Sequence, residues 1–256
     1  MTRRILFYGC SYTAGDELAD NEFFPWINDV RTKEEYLLRK QESMLNMRAE
    51  DMEKYYNSCR QKAYPQLMNT DEINTVNRAL CGSSVEEQVF YILKDYEQGW
   101  MDSDSTVYLQ LIGYPREIYL EDSEPRSLRF SDLKLYSWME NDAINQYKLA
   151  KLNTHGLDHW VTLDHVLIIT IKNFLNNKQI PFYLINLDHT LVDRTRELNR
   201  PVHRSLKQLF EKEIKVLDLQ DLIDPKTKLI NGHFNAQSHR RIAELVTEHY
   251  WQHSNA

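Results

Sequence analysis

Short apolar runs alternate along the chain with longer segments whose apolar residues recur every three or four positions. The runs that predict β-strands are 5–8, 76–79, 106–112, 181–187 and 214–219. The segments whose spacing predicts helices are 163–176, 201–212 and 238–253, and a further helix is expected after residue 82 with Ser83 or Ser84 as its N-cap. Strands that alternate with helices in this way indicate a parallel sheet covered on both faces.

Two stretches depart from that alternation. Residues 21–63 are strongly charged and carry apolar residues at helical spacing, which predicts a helical insertion on the sheet domain. A solvated, salt-bridged face is the expected role of its charges, and a partner-binding helix that forms a homodimer is the alternative. Residues 121–160 have little periodic signal and are expected to be irregular or helical.

Composition narrows the class of protein. The 256 residues, 42% of them hydrophobic, suffice for one α/β domain over 1–256. A net charge of −7 disfavours nucleic acid as a partner, and no apolar stretch approaches the roughly 20 residues that a membrane span needs. The three cysteines and nine histidines show no metal-ligand spacing, so no metal and no other cofactor is expected. The odd cysteine count is typical of a reducing compartment, which predicts a cytoplasmic protein.

The candidate chemistry begins where the first strand ends. The run of apolar residues 5–8 leads directly into Gly9, Cys10 and Ser11, and Gly15 follows shortly after. A turn of small residues after a buried strand places a hydroxyl at the carboxyl end of the sheet, where open α/β sheets keep their sites. Glycine on both sides allows a sharp turn and the close approach of a ligand. Ser11 is therefore a candidate nucleophile, and capping of the next helix is its alternative role.

Three blocks of the sequence resemble the SGNH, or GDSL-like, hydrolases. Residues 9–13 (GCSYT) are similar to the family's nucleophile block, and residues 77–84 (NRALCGSS) to its second block. Residues 231–239 (NGHFNAQSH), ahead of the last predicted helix, are similar to its final acid-and-histidine block. The blocks occur in the family's order and the resemblance covers most of the chain outside 21–63.

The resemblance implies a three-layer α/β/α sandwich of the SGNH-hydrolase, flavodoxin-like kind. It further implies a hydrolase that acts on acyl esters of small molecules, glycans or lipids. Ser11 would be the nucleophile and His233 the general base, with the Ser11 and Gly82 amides facing the oxyanion. Histidine suits the role of base because it exchanges protons near neutral pH.

Two positions depart from the family's pattern. Its third block carries an oxyanion-binding asparagine, which is absent from residues 112–117 (IGYPRE), where Arg116 is the candidate anion-binding group. Asn231 stands where the family has an aspartate, and it would orient His233 in that position, although this change can cost roughly 10⁴-fold in turnover in a serine triad. Asp221 and Asp224 are alternative sources of the carboxylate.

These departures leave other functions open. One is a catalytically weakened binding protein, or an acyltransferase, on the same fold. A remote alternative rests on residues 183–193 (YLINLDHTLVD), which are similar to the first motif of haloacid-dehalogenase-like phosphatases. The nucleophile position of that motif is Asn186 here, and an amide cannot form the acyl-phosphate.

Overall fold

A parallel sheet forms the centre of the protein. The structure, a computed structural model, describes residues 3–80, 83–111, 116–121, 124–129, 162–187, 208, 212–224, 226, 228–229 and 233–254, and only the backbone of 116–121, 124–129 and Tyr12. Its strands are β1 (Arg3–Tyr8), β2 (Ile73–Asn77), β3 (Ser105–Gln110), β4 (Arg116–Glu121), β5 (Glu124–Arg129), β6 (Phe182–Asn186) and β7 (Val216–Asp218). Five of them pair in the order β2-β1-β3-β6-β7, all parallel.

The strand order reverses between β1 and β3. The chain passes from β1 to β2 on one side and then returns to place β3 on the other side of β1. In sheets with this order, ligands bind outside the carboxyl ends of the strands at the reversal. Tyr8 lies opposite Leu109 in the β1–β3 register, so the residues that follow β1 lie beside the end of β3.

Helices cover both faces of the sheet. They are α1 (Ser11–Ala14), α2 (Asp20–Phe23), α3 (Lys33–Leu45), α4 (Ala49–Lys62), α5 (Tyr64–Leu67), α6 (Val85–Glu97), α7 (162–177) and α8 (Ala236–Ser254), with 3₁₀ turns at Ile27–Asp29 and Gln220–Leu222. One core contains residues of α6 and α7, and the other contains residues of α5 and α8. The layers are therefore α/β/α.

Alternation along the strands explains the two cores. Leu6 and Tyr8 belong to the core beneath α6 and α7, whereas Ile5 and Phe7 belong to the core beneath α5 and α8. All four side chains are fully buried. Strands buried on both faces read as continuous apolar runs, which is why β1 could be predicted from the sequence.

Most predicted elements occur with shifted ends. The strand predicted over 76–79 spans 73–77, the helix predicted over 238–253 spans 236–254, and Ser84 is the N-cap whose hydroxyl accepts from the Glu87 N–H at 3.0 Å. Helices α3 and α4 occupy most of the predicted insertion. The helix predicted over 201–212 lies almost wholly outside the described residues.

The expectation for residues 121–160 is wrong at its beginning. Strands β4 and β5 form an antiparallel pair in which Ile118 faces Ser127 and Tyr119 faces Arg126. Two-stranded pairing depends on the partner strand more than on intrinsic preference, so single-sequence periodicity missed it. Residues 130–160 lie outside the described part of the chain.

None of the helices in the described ranges combines the length and the apolar character that crossing a bilayer requires. The helix α8 has one buried face and one exposed face, and the exposed face carries charged residues such as Arg240, Arg241 and Glu244.

Candidate active site

The turn that carries Ser11 is held by the end of the neighbouring strand. Residues 9–13, called the nucleophile turn below, connect β1 to α1. The buried Gln110 side chain, at the end of β3, accepts hydrogen bonds through Oε1 from the Cys10 N–H at 3.2 Å, the Thr13 N–H at 3.3 Å and the Thr13 hydroxyl at 2.7 Å. One amide oxygen thus fixes the backbone on both sides of the candidate nucleophile.

Gly9 is required at the start of this turn. A Cβ at that position would lie 2.6 Å from Thr13 Oγ1 and 2.8 Å from Gln110 Oε1, which is closer than van der Waals contact allows. The Gly9 carbonyl accepts from the Leu80 N–H at 3.1 Å, from the Ser83 hydroxyl at 2.9 Å and from Gln88 Nε2 at 2.5 Å. The first two donors flank the predicted oxyanion residue Gly82, which itself lies outside the described residues.

His233 reaches the nucleophile from the far end of the chain. Its Nε2 lies 2.8 Å from Ser11 Oγ, within hydrogen-bond distance. The neighbouring Phe234 is 2% exposed in the core beneath α8, and Asn235 Oδ1 accepts from the Ser238 N–H at 3.0 Å to cap that helix. The structure therefore brings the side chains of Ser11 and His233 together, and their catalytic roles stay predictions.

The other ring nitrogen of His233 contacts a residue that sequence reasoning missed. His233 Nδ1 lies 2.9 Å from Glu17 Oε2 and 4.0 Å from Asp16 Oδ2. Glu17 is 5% exposed and has φ 72°, a left-handed conformation that is uncommon for a residue with a side chain. The acidic pair directly after Gly15 was the available signal, but nothing in the sequence shows that the chain turns back there.

The backbone turns back after α1 through Gly15. Its φ is 78°, and the N–H groups of Gly15 and Asp16 both donate to the Ser11 carbonyl at 3.0 Å. This left-handed helix ending, which glycine adopts at little cost, reverses the chain so that Glu17, six residues after Ser11, contacts the same histidine ring as Ser11.

Residues 16–20, called the acidic segment below, are held by the insertion. The buried Asp20 carboxylate accepts from the Tyr36 hydroxyl of α3 at 2.5 Å and from the Tyr55 hydroxyl of α4 at 2.7 Å. Lys40 Nζ lies 3.3 Å from Asp20 Oδ1 and 3.4 Å from Asp16 Oδ1. We call Tyr36, Lys40 and Tyr55 the clamp.

Burial controls protonation in this cluster. Burial raises the pKa of Asp20, and the Lys40 charge together with the tyrosine hydroxyls partly opposes that rise. Burial, reinforced by nearby carboxylates, also raises the pKa of Tyr36 and of Tyr55. Both phenols therefore stay protonated and donate to Asp20 at any physiological pH.

The remaining predicted site residues fall into two groups. Asn231 lies outside the described residues, and Arg116 is described only by its backbone, at the start of β4. Asp221 and Asp224 are both exposed, and Asp224 Oδ1 accepts from the Lys226 N–H at 2.9 Å. The roles assigned to these four residues stay predictions.

A second histidine near the site has a structural environment. His239 is 1% exposed, its Nδ1 accepts from the Tyr64 N–H at 3.0 Å, and its ring stacks on Tyr64 at 6.0 Å between centroids. Burial lowers the pKa of His239 to about 3, assisted by the proximity of His233. His239 is therefore neutral and serves as an acceptor at the start of α8.

The described residues support neither a metal site nor the phosphatase-like site. Within the described ranges, no group of histidine, cysteine, aspartate or glutamate side chains could hold a metal ion. Asn186, at the nucleophile position of the phosphatase-like motif, donates through Nδ2 to Asp218 Oδ1 at 3.1 Å. An amide committed to this contact at the end of β6 offers no nucleophile.

Comparison with solved structures identifies the fold. A protein assigned to the G-D-S-L lipolytic family, from Desulfitobacterium hafniense DCB-2, aligns over 96% of this chain and 99% of its own with a TM-score of 0.50 and 12% identity. This chain has the SGNH-hydrolase fold. The predicted three-layer α/β/α sandwich with a parallel sheet is confirmed.

Other solved structures align with lower scores. The esterase EstA from Pseudoalteromonas sp. aligns over 99% of this chain and 100% of its own, at 9% identity and TM-score 0.49. A lipolytic G-D-S-L family member from Veillonella parvula DSM 2008 aligns over 96% of both chains, at 12% identity and TM-score 0.44. No protein-family profile and no curated protein matches the sequence. The 12% identity to the Desulfitobacterium protein shows a shared fold and not a shared function.

Proposed function

We propose that this protein is a serine hydrolase of acyl esters in which Ser11 is the nucleophile and His233 the general base. The observation that carries the proposal is the 2.8 Å contact between Ser11 Oγ and His233 Nε2, at the carboxyl ends of the strands beside the reversal in strand order. Serine attacks a carbonyl only when a base within hydrogen-bond reach removes its proton. The His233 side chain is largely buried, with 13% of it exposed.

The reaction follows from these two side chains. Ser11 Oγ forms a bond to the ester carbonyl carbon while His233 Nε2 takes the hydroxyl proton, and the carbonyl oxygen becomes an oxyanion. The oxyanion collapses, the bond to the leaving alcohol breaks, and His233 returns the proton to that alcohol. Water then attacks the acyl-serine with His233 as base, which releases the carboxylic acid and restores the Ser11 hydroxyl.

The oxyanion is bound by backbone donors in this proposal. The Ser11 N–H and the Gly82 N–H are the proposed donors, each worth about 3 kcal/mol of transition-state stabilisation. Support comes from the hydrogen bonds of Leu80 and Ser83, which hold the chain on both sides of Gly82 against the Gly9 carbonyl. Arg116 is proposed to bind an anionic part of the substrate.

The substrate is proposed to be a small-molecule, glycan or lipid acyl ester, which needs no metal and no organic cofactor. Transfer of the acyl group to an alcohol other than water uses the same first half-reaction. The ratio of hydrolysis to transfer is measured by adding a glycerol or sugar acceptor to the ester assay.

A fluorophosphonate probe tests the proposal. The probe phosphonylates an activated serine hydroxyl with loss of fluoride, and 4-nitrophenyl acetate hydrolysis gives the parallel rate. We expect the native protein to be labelled and the Ser11→Ala variant not to be. Ser103→Ala, which alters an exposed serine ahead of β3, is the matched control. A folded native protein with neither labelling nor hydrolysis would leave the binding-protein alternative in place.

A further inference from the structure

We propose that Glu17 is the carboxylate that orients His233, and that the helical insertion exists to hold it there. The inference rests on the proposed function, since an orienting carboxylate matters only if His233 is the base. It assigns a role to a residue in the segment that follows the nucleophile, rather than to one in the loop that carries the histidine.

The geometry uses both nitrogens of the imidazole. Nε2 is 2.8 Å from Ser11 Oγ and Nδ1 is 2.9 Å from Glu17 Oε2. If the neutral ring carries its proton on Nδ1, that N–H donates to Glu17 and leaves Nε2 as the acceptor for the serine proton. In that tautomer the single Nδ1 proton is committed to Glu17.

Glu17 rather than Asp16 fits the role. Asp16 Oδ2 is 4.0 Å from His233 Nδ1, beyond hydrogen-bond distance, and Asp16 Oδ1 accepts from the Glu17 N–H at 3.1 Å and from the Tyr55 hydroxyl at 3.3 Å. The Glu17 side chain is only 2% exposed, so water screens its charge weakly and the contact with His233 is correspondingly strong.

Two local features of Glu17 are unfavourable for folding. Its φ of 72° is strained for a residue with a Cβ, and its Oε1 is buried with no hydrogen-bond partner among the described residues. Glycine would relieve the strain, and an apolar residue would remove the buried oxygen. Strain and unsatisfied buried groups persist where function requires the residue.

The clamp explains how the strained segment is kept in place. Three carboxylates lie within five residues, and Lys40 is a cation from the insertion that reaches both Asp16 and Asp20. Tyr36 and Tyr55 fix both oxygens of Asp20, and Lys40 also donates to the Tyr36 hydroxyl at 2.9 Å. Helix α3 thus contributes two side chains, and helix α4 one, that anchor the segment at Asp20, three residues beyond Glu17.

The test compares Glu17→Gln and Glu17→Gly with Glu22→Gln. Glu22 is an exposed carboxylate in the same stretch that contacts Lys62 and Ser58, so its variant controls for loss of a charge. We expect Glu17→Gln to lower kcat about 10⁴-fold with little change in KM, as loss of an orienting carboxylate does in serine triads. In a plot of kcat/KM against pH, the decrease at acid pH should also occur at lower pH in Glu17→Gln. The reason is that the neutral amide stabilises the protonated His233 ring less than the carboxylate does.

Glu17→Gly separates catalysis from folding. This variant removes the carboxylate and relieves the left-handed strain, so we expect it to melt no lower than the native protein and to lose kcat like Glu17→Gln. Native kcat and an unmoved pH profile in both Glu17 variants would overturn the inference while Ser11 labelling stands. A rise in turnover in Asn231→Asp with no loss in Glu17→Gln would overturn it as well.

A spectroscopic readout makes the inference independent of activity. Imidazole ¹⁵N shifts, with the His233 signal assigned from a His233→Gln sample, report which nitrogen carries the proton at pH 8. We expect the Nδ1–H form in the native protein and in Glu22→Gln, and a mixture of both forms in Glu17→Gln. An unchanged His233 spectrum in Glu17→Gln would refute the role of Glu17 even if the protein proved inactive on esters.

Discussion

The nucleophile turn and the acidic segment are neighbours in the chain and are stabilised by opposite chemistry. Neutral groups fix the nucleophile turn: the Gln110 amide oxygen, the Gln88 amide and the Ser83 hydroxyl bind its backbone. Charged and phenolic side chains from the insertion fix the acidic segment through Asp16 and Asp20. The contrast indicates that neutral hydrogen bonds are enough to hold the backbone around Ser11 in place. The segment beside His233 carries negative charge, which has to be balanced as well as held in place.

The two regions should also differ in how their stability depends on pH. Side-chain amides and backbone groups do not titrate between about pH 4 and 9, so the nucleophile turn should respond weakly to pH. The acidic segment contains a carboxyl group whose pKa is raised by burial, and Lys40 opposes that rise. Its stability should therefore depend on pH and on the clamp.

The largest expected effect comes from removing the acceptor of the nucleophile turn. Gln110→Leu would leave the Cys10 and Thr13 N–H groups without their shared oxygen in a buried site, which should cost about 4 kcal/mol. Urea unfolding measures the free energy, and it should fall equally at pH 7 and pH 5. Gln252→Leu, on the exposed face of α8, is the control and should change stability by less than about 0.5 kcal/mol. A strong pH dependence of the Gln110→Leu effect would contradict the comparison.

Removing the cation of the clamp should have the next largest effect. In Lys40→Met, the largely buried carboxylates of Asp16 and Asp20 lose their counter-charge, and we expect a loss of about 3 kcal/mol at pH 7. Because the pKa of Asp20 is already raised, ionisation of Asp20 costs stability as pH rises, so the Lys40→Met loss, measured by urea unfolding, should shrink toward pH 5.

A second variant sharpens the interpretation of Lys40. In Lys40→Met/Asp20→Asn the buried negative charge is removed together with the cation, so the double variant should recover part of the loss. Lys54→Met, which breaks an exposed contact with Asp51, should cost at most about 0.5 kcal/mol. Equal losses in Lys40→Met and Lys54→Met would show that the clamp charge is unimportant.

His239 provides a pH effect outside both regions. Its pKa is lowered by burial from an ordinary 6.5 to about 3, so below pH 6.5 the unfolded chain binds a proton that the folded protein excludes. Stability from this group is fully present above pH 6.5 and is lost as pH falls, by about 1.4 kcal/mol per pH unit, or about 2 kcal/mol between pH 6.5 and 5.

Replacing that histidine isolates its contribution. In the His239→Asn variant the introduced amide oxygen replaces Nδ1 as the acceptor of the Tyr64 N–H, but the side chain no longer titrates. The difference in unfolding free energy between pH 6.5 and 5 should be about 2 kcal/mol smaller in this variant than in the native protein. The same difference in both proteins would show that His239 does not cause the acid sensitivity.

The smallest expected effect is the loss of one clamp hydroxyl. Tyr55→Phe removes the 2.7 Å hydrogen bond to Asp20 and should cost about 1.5 kcal/mol at pH 7, the typical value for a hydrogen bond to a charged group. Thermal melts at pH 7 and pH 5 measure it, and the loss should be smaller at pH 5 because protonated Asp20 needs fewer donors. A larger loss at pH 5 would contradict the role given to the clamp.

Much of the fold could be predicted because it depends on local pattern. The apolar residues of β1, the N-cap at Ser84 and the apolar spacing of α8 are visible along a few residues each. The β4–β5 pair could not be predicted from local sequence, because two-stranded pairing is stabilised by contacts between the strands and not by the pattern within either one. Ser11 and His233 were predicted as nucleophile and base because the order of three sequence blocks resembles a known family, and the hydrogen-bond contact between them is a tertiary observation.

Local sequence pattern is enough to place a serine after a buried strand and a histidine before the last helix. The side chains that surround these two residues come from distant parts of the chain, so they depend on tertiary contacts. Gln110 meets the nucleophile turn because the parallel register sets Tyr8 beside Leu109, and Glu17 meets His233 because Gly15 reverses the chain. Both contacts join residues far apart in sequence, across 100 positions in one case and 216 in the other. Contacts between residues so far apart in sequence are set by the register of the sheet and by the reversal of the backbone. No local pattern of hydrophobic and polar residues encodes either one.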